Sequence, residues 1–115
     1  MNVLFVLHDP PYGTERVYNG LRWAIEVARQ GSEVQVFCFG DSVVAAMGGQ
    51  HVPDGYYNVS HQMATVARHG GTVGCCGTCM DARGMTDDML VEAAHRSSMK
   101  ELTQWTLAAD KVINV

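Results

Sequence analysis

The sequence predicts an α/β protein in three layers, with helices over both faces of a mostly parallel sheet of four or five strands. Three observations predict it. Short β-rich runs alternate with longer stretches of helical periodicity, the pattern of strand–helix–strand units joined by crossovers. The first run, NVLFVL (Asn2 to Leu7), is continuously apolar from Val3 onward, as a strand buried on both faces must be. The 115 residues are 47% hydrophobic and 17% charged, a globular mix. A chain of that length buries roughly two-thirds of its unfolded surface, so one domain over residues 1–115 can form its core without staples.

The elements follow in order. Asp9, Pro10, Pro11 and Gly13 bound the first strand, and Thr14 can cap a helix reaching about Gln30. In that helix Val17, Leu21, Ala24, Ile25 and Ala28 keep helical spacing, and Gly31 stops it. Glu33 to Phe39 (EVQVFCF) reads as a second strand. DSVVAAM after Gly40 opens with an acidic cap and suits a short helix, and GGQHVPDGYY is a glycine-dense loop. A helix over about Asn58 to His69 puts Val59, Met63, Val66 and Ala67 on one face; GTVGCC then forms a third strand. TDDMLVEAAH carries a capping residue and an acidic first turn, which predicts a further helix, and a short strand fits Ala94 to Ser97. SSMKELTQWTLAAD is a helix starting at Ser97 or Ser98 with Met99, Leu102, Thr106 and Ala109 in register, and KVINV closes as a strand.

Composition excludes several functions. A net charge of −4 lacks the basic field that phosphate backbones require, so nucleic acid is not the expected partner. No run of about 18 apolar residues exists to span a bilayer. MNVLFVLHDPPYG has neither a basic leader nor a cleavage site, so the chain is expected in the cytoplasm with its thiols reduced. GGQ before His51 lacks the context of a nucleotide-binding loop, and Asp87 with Asp88 reads as helix-start charge. Met63 and Met99 fall on apolar helical faces and read as core.

Chemistry gathers in CCGTCMDARG, Cys75 to Gly84, which holds three of the four cysteines. Parallel strands place their C-terminal ends on one edge, where ligand sites of such sheets lie. With strands in a 2-1-3 order, the loop His8 to Gly13 would face the loop at Cys76, with Asp41 approaching from strand two. Cys76 leaves its strand just before Gly77, where a strand-to-helix turn and nearby Arg83 can stabilise a nucleophilic thiolate. Cys38 lies inside a strand and reads as a small core hydrophobe, as does Cys75. Cys79 completes a C-x-x-C pair, whose two readings are a resolving thiol and simple packing. One such pair without paired histidines at finger spacing makes a metal site unexpected, and no cofactor is called for. Arg83 can hold an anion or pair with Asp81.

Beyond these motifs, the chain resembles the DsrE/DsrF/TusD superfamily, and within it the YchN-like group. PYGTE (Pro11 to Glu15), NGLRWAIE (Asn19 to Glu26), GDSVVAAMGGQ (Gly40 to Gln50), PDGYYN (Pro53 to Asn58), CGTCMDARGM (Cys76 to Met85) and ELTQWTLAADKVINV (Glu101 to Val115) carry the resemblance, in order and end to end. It implies a flavodoxin-like fold, a cytoplasmic homo-oligomer (trimer or hexamer) and, in the sulfur-relay branches, a cofactor-free cysteine. That cysteine accepts sulfane sulfur as a persulfide from a donor protein and passes it to an acceptor. It precedes an Arg-Gly pair by seven and eight residues, a spacing that Cys76 holds to Arg83 and Gly84; Cys79 matches the group's second cysteine. His8-Asp9 departs from the group's pattern, so no family role carries onto His8. Sulfur relay through Cys76, with Cys79 and Arg83 in support, is the leading expectation. A small-molecule- or partner-binding oligomer without sulfur transfer, and a thiol–disulfide oxidoreductase using Cys76 and Cys79, are the alternatives.

Overall fold

The computed structural model describes residues 1–53 and 58–115, so four residues of the loop GGQHVPDGYY lie outside the described residues. Five strands, β1 (Asn2–Leu7), β2 (Glu33–Cys38), β3 (Thr72–Cys76), β4 (Ala94–Ser97) and β5 (Lys111–Asn114), form one sheet in the order β4-β3-β2-β1-β5. Every neighbouring pair is parallel. The 2-1-3 order is therefore corrected: β2 lies between β1 and β3, with Leu7 beside Cys38 and Cys38 beside Cys75. Hydrophobic runs show that β1 is interior but not which strands flank it. Its other flank belongs to β5, tied on by Asp110 N–H to Asn2 O at 2.8 Å and Val115 N–H to Val6 O at 2.9 Å.

Helices α1 (Arg16–Arg29) and α2 (Val59–Arg68) pack together on one face. α1 buries Val17, Leu21, Ala24 and Ile25, the predicted stripe. α4 (Met99–Ala108) covers the other face. There the Trp105 ring stands edge-on to Phe37 at 6.2 Å and presses on Gly74, where a Cβ would come within 3.0 Å of the indole. Between the layers lie the fully buried Leu4, Phe5, Leu7, Val36, Phe37, Met63 and Val66. The short α3 (Gly77–Ala82) follows β3 directly at the C-terminal edge.

Capping residues fix the helix starts. Asn58 Oδ1 accepts from the Ser60 and His61 N–H groups, and Ser98 Oγ from Glu101 N–H, each satisfying donors that a first turn leaves open. Thr14 Oγ1 accepts from Arg16 N–H at 3.3 Å, although Glu15 and not Thr14 occupies the cap position of α1.

One element reading needs correction. TDDMLVEAAH forms one 3-10 turn at Asp87–Met89 and no α-helix. Its backbone bonds elsewhere, with Val91 N–H to Ala46 O and Met89 O to Gly48 N–H, both at 2.8 Å, before the chain enters β4. DSVVAAM forms the short helix expected of it, wound as 3-10 over Gly40–Ala46. In α4 only Leu102 is buried, while Met99, read as core, is 61% exposed.

Candidate functional site

Cys76 ends β3 opposite Ser97 of β4. Strand alternation turns it to the α4 face with Gly74, and turns Cys75 to the other face, beside Cys38. Cys38 and Cys75 are fully buried, as their core reading requires. Hydrogen bonding to Cys75, then burial, push the Cys38 thiol far above its ordinary range.

Cys76 is 7% exposed and lies at the wall of a cavity of about 500 Å³. Phe39, Cys79, Arg96, Ser98 and Met99 share the lining. Burial, followed by hydrogen bonding from Cys79, pushes the Cys76 thiol upward. The backbone N–H groups of Cys79 and Thr78, in the first turn of α3, favour the anion but do not outweigh burial. The resting sulfur is thus a protonated thiol seated in a cradle that suits a sulfur anion once one forms. The expected thiolate at rest is corrected accordingly.

Cys79 stands half-buried within the first turn of α3, and its Sγ accepts the Gly40 N–H at 3.2 Å. Gly40 adopts φ +54°, a left-handed conformation natural to glycine. Arg83 engages Asp41 Oδ1 through Nη2 at 2.7 Å and Nε at 3.3 Å, and donates Nη1–H to the Cys79 carbonyl at 3.0 Å. Its partner is Asp41 rather than Asp81, and it clamps α3 to the turn after β2. Asp81 pairs instead with Arg96 at 2.7 Å, and Asp87 lies 3.5 Å from the same guanidinium.

The three loops do not share one crevice: no residue of His8 to Gly13 lines the Cys76 cavity, and Pro10, Pro11 and Tyr12 line a separate one with Asp41, while the turn after β2 touches both neighbours. The His8 ring stacks on Phe39 with centroids 6.2 Å apart, and its Nε2 lies 2.9 Å from Asn114 Oδ1. Gly40 reaches Cys79, and Asp41 reaches Arg83. With β2 interposed, His8 and Cys76 are two strand spacings apart, about 10 Å.

Sequence reasoning missed Arg96, Phe39 and Gly40. Arg96 projects from an edge strand of four residues and lies across the β3–α3 turn, where Gly77 makes room: a Cβ there would come within 3.0 Å of Arg96 Nε and Ser97 O. No local pattern marks such a contact, because it joins residues 19 apart in the chain. Among the described residues no group of three or more His, Cys, Asp and Glu is placed to hold a metal ion. No helix among them is long and apolar enough to cross a membrane.

A model of the DsrE/DsrF-like family matches residues 1–115. Protein YchN of Escherichia coli (strain K12) is 34% identical over 113 residues, 96% of this chain and 96% of its own. An uncharacterized protein of Methanopyrus kandleri is 32% identical over 111 residues, 96% of this chain and 91% of its own. The crystal structure of ychN protein from E. coli superposes with a TM-score of 0.93 at 32% identity, covering 100% of this chain and 99% of that one.

Proposed function

The chain belongs to the DsrE/DsrF-like family, and from that premise we propose that it is a sulfur-handling protein whose Cys76 holds sulfane sulfur as a persulfide. Membership supports a sulfur-relay role in general. The assignment to Cys76 is supported by one observation: its thiol, nearly closed to solvent at the cavity wall, has the backbone N–H groups of Thr78 and Cys79 favouring its anion, whereas Cys79 on the same wall accepts the single Gly40 N–H. A persulfide on Cys76 projects its outer sulfur into a space of about 500 Å³, ample for the reacting end of a donor or acceptor. The low exposure of Cys76 limits the reach of reductants to its sulfur, and the N–H cradle stabilises the persulfide anion. Arg83 supports the site through α3 rather than by touching sulfur.

Transfer then proceeds by thiolate attack on sulfur, which needs neither metal nor cofactor. Cys76 and Cys79 line the same cavity, so a second outcome at the site is attack by Cys79 on the Cys76 sulfur of the persulfide, which closes a disulfide and releases sulfide. The test uses a cysteine desulfurase turning over free cysteine as donor, followed by intact mass without reductant. Wild type gains one sulfur atom and the Cys76→Ser, Cys79→Ser double variant gains none. No gain on wild type, or equal gain on the double variant, overturns the reading.

We also take the chain to assemble with copies of itself. The support is three exposed apolar side chains on α4 and β5: Leu107, which is 82% exposed, Met99 and Val112. Met99 lines the Cys76 cavity as well, so assembly over α4 would narrow the approach to the sulfur.

A further inference from the structure

The two thiols of the C-x-x-C pair differ in a way that orders the chemistry between them. Cys76 is the inner sulfur: it is nearly closed to solvent and ends a buried strand. Cys79 is the outer one, half-buried on α3 and lining the same cavity. Its Sγ has a fixed N–H donor from outside its own helix, the Gly40 amide at 3.2 Å. That donor is held in place by the Arg83–Asp41 pair, which ties α3 to the turn beginning at Gly40, and by the Arg83 bond to the Cys79 carbonyl.

We propose that sulfur reaches Cys76 in two steps, with Cys79 as the first acceptor and Cys76 as the store. The inference rests on the persulfide reading of Cys76 and reassigns Cys79 from a resolving thiol to the nucleophile that meets the donor. In the first step the Cys79 thiolate attacks the outer sulfur of the donor's persulfide. The donor's S–S bond breaks, its thiolate leaves and takes up the proton that Cys79 gave to water, and Cys79 carries –S–SH. In the second step the Cys76 thiolate attacks the outer sulfur of that group. The bond within the Cys79 persulfide breaks, the Cys79 thiolate recovers the proton lost by Cys76, and the persulfide rests on Cys76. One S–S bond breaks and one forms in each step, so no oxidant or reductant is consumed.

The order follows from access and donors. A bulky donor meets Cys79, the less buried of the two, first, and the Gly40 N–H fixes where its sulfur stands. The inner thiol, kept protonated by its burial, needs only a neighbour within its own turn to deliver the sulfur. Asp41 acts here as a positioning residue, because it sets the Gly40–Cys79 contact through Arg83.

Rapid quenching during loading from a cysteine desulfurase, with fragment masses locating the added sulfur, tests the proposal. Early samples carry it on Cys79 and late samples on Cys76. Cys76→Ser loads Cys79 at the wild-type rate. Cys79→Ser, folded by its melting profile, loads Cys76 at least about tenfold more slowly, the penalty of direct attack by the buried thiol. Asp41→Asn slows the first step and leaves the second unchanged. Loading of Cys79→Ser at the wild-type rate overturns the proposal while leaving Cys76 as the store, and so does release of sulfide with a Cys76–Cys79 disulfide as the main product. Failure of the wild type to load at all overturns the persulfide reading itself.

Discussion

A single side chain shows how position sets reactivity. Cys76 and Cys75 are consecutive, yet strand alternation gives one a cavity and the other a sealed core. The sequence separates the two by another mark, the turn at Gly77, which puts Cys76 just past the strand; in the structure Cys76 is the last residue of β3. The direction in which the Cys76 thiol shifts was not legible, because it depends on how deeply the strand end is covered by residues distant in the chain. Burial and the Cys79 thiol both push the Cys76 thiol up, so its ionisation begins at higher pH than in an ordinary cysteine. Alkylation at Cys76 is therefore expected to rise only above the free-thiol value of about 8.5. Cys79→Ala removes one of the two causes and brings the rise to lower pH without restoring it fully. A rate already at its plateau near neutral pH would show an activated resting thiolate and contradict this picture.

At the scale of elements, legibility depended on whether a segment's hydrogen bonds are local. Asn58 and Ser98 cap their own helices, and those starts were read correctly. The segment after Thr86 carries the same signals but bonds to the turn near Ala46, so its acidic residues open only one 3-10 turn. Met99 was misread for a related reason. It keeps helical register with Leu102, but α4 touches the sheet along a narrow line through Leu102 and Trp105. That line is held by Glu101, which accepts from Ser97 Oγ at 2.6 Å and from His95, itself edge-on to Trp105. Burial raises the Glu101 carboxyl, but the bonds from Ser97 and His95, with the attraction of His95, outweigh it and hold the group below its ordinary value. A depressed carboxyl contributes stability that is present above the unfolded value of about 4.3 and is lost as pH falls through the folded one. Denaturant unfolding from pH 6 down to pH 3 should show Glu101→Gln losing about 0.5 kcal/mol less than wild type, a figure kept small by solvent screening. Parallel pH profiles for the two proteins would remove Glu101 from the account.

For the whole molecule, the three-layer α/β class and the parallel sheet could be read from the alternation of elements, whereas the strand order could not. The apolar runs of β1 and β2 are equally suited to interior places, and β5 is too short for its pattern to declare a neighbour. The clamp Asp41–Arg83 and the strap of Arg96 over Gly77 arise only once β2, β3 and β4 stand side by side, so the site's supports stayed hidden while its sulfurs were visible. The exposed apolar side chains of α4 and β5 belong to this scale too. Light scattering after size exclusion should give the wild type a mass that is a multiple of the single chain, and Leu107→Glu a lower one. A monomeric wild type, or an unchanged mass for the variant, would argue against assembly through this face.

The central claim is that sulfane sulfur comes to rest on the sulfur at the end of β3. Locating the added atom by fragment mass spectrometry, in wild-type protein loaded to completion and then freed of donor, puts that claim to its most direct trial. The account predicts a persulfide on Cys76 with Cys38, Cys75 and Cys79 left as thiols. Stable loading on any of those three, with Cys76 unmodified, would contradict it.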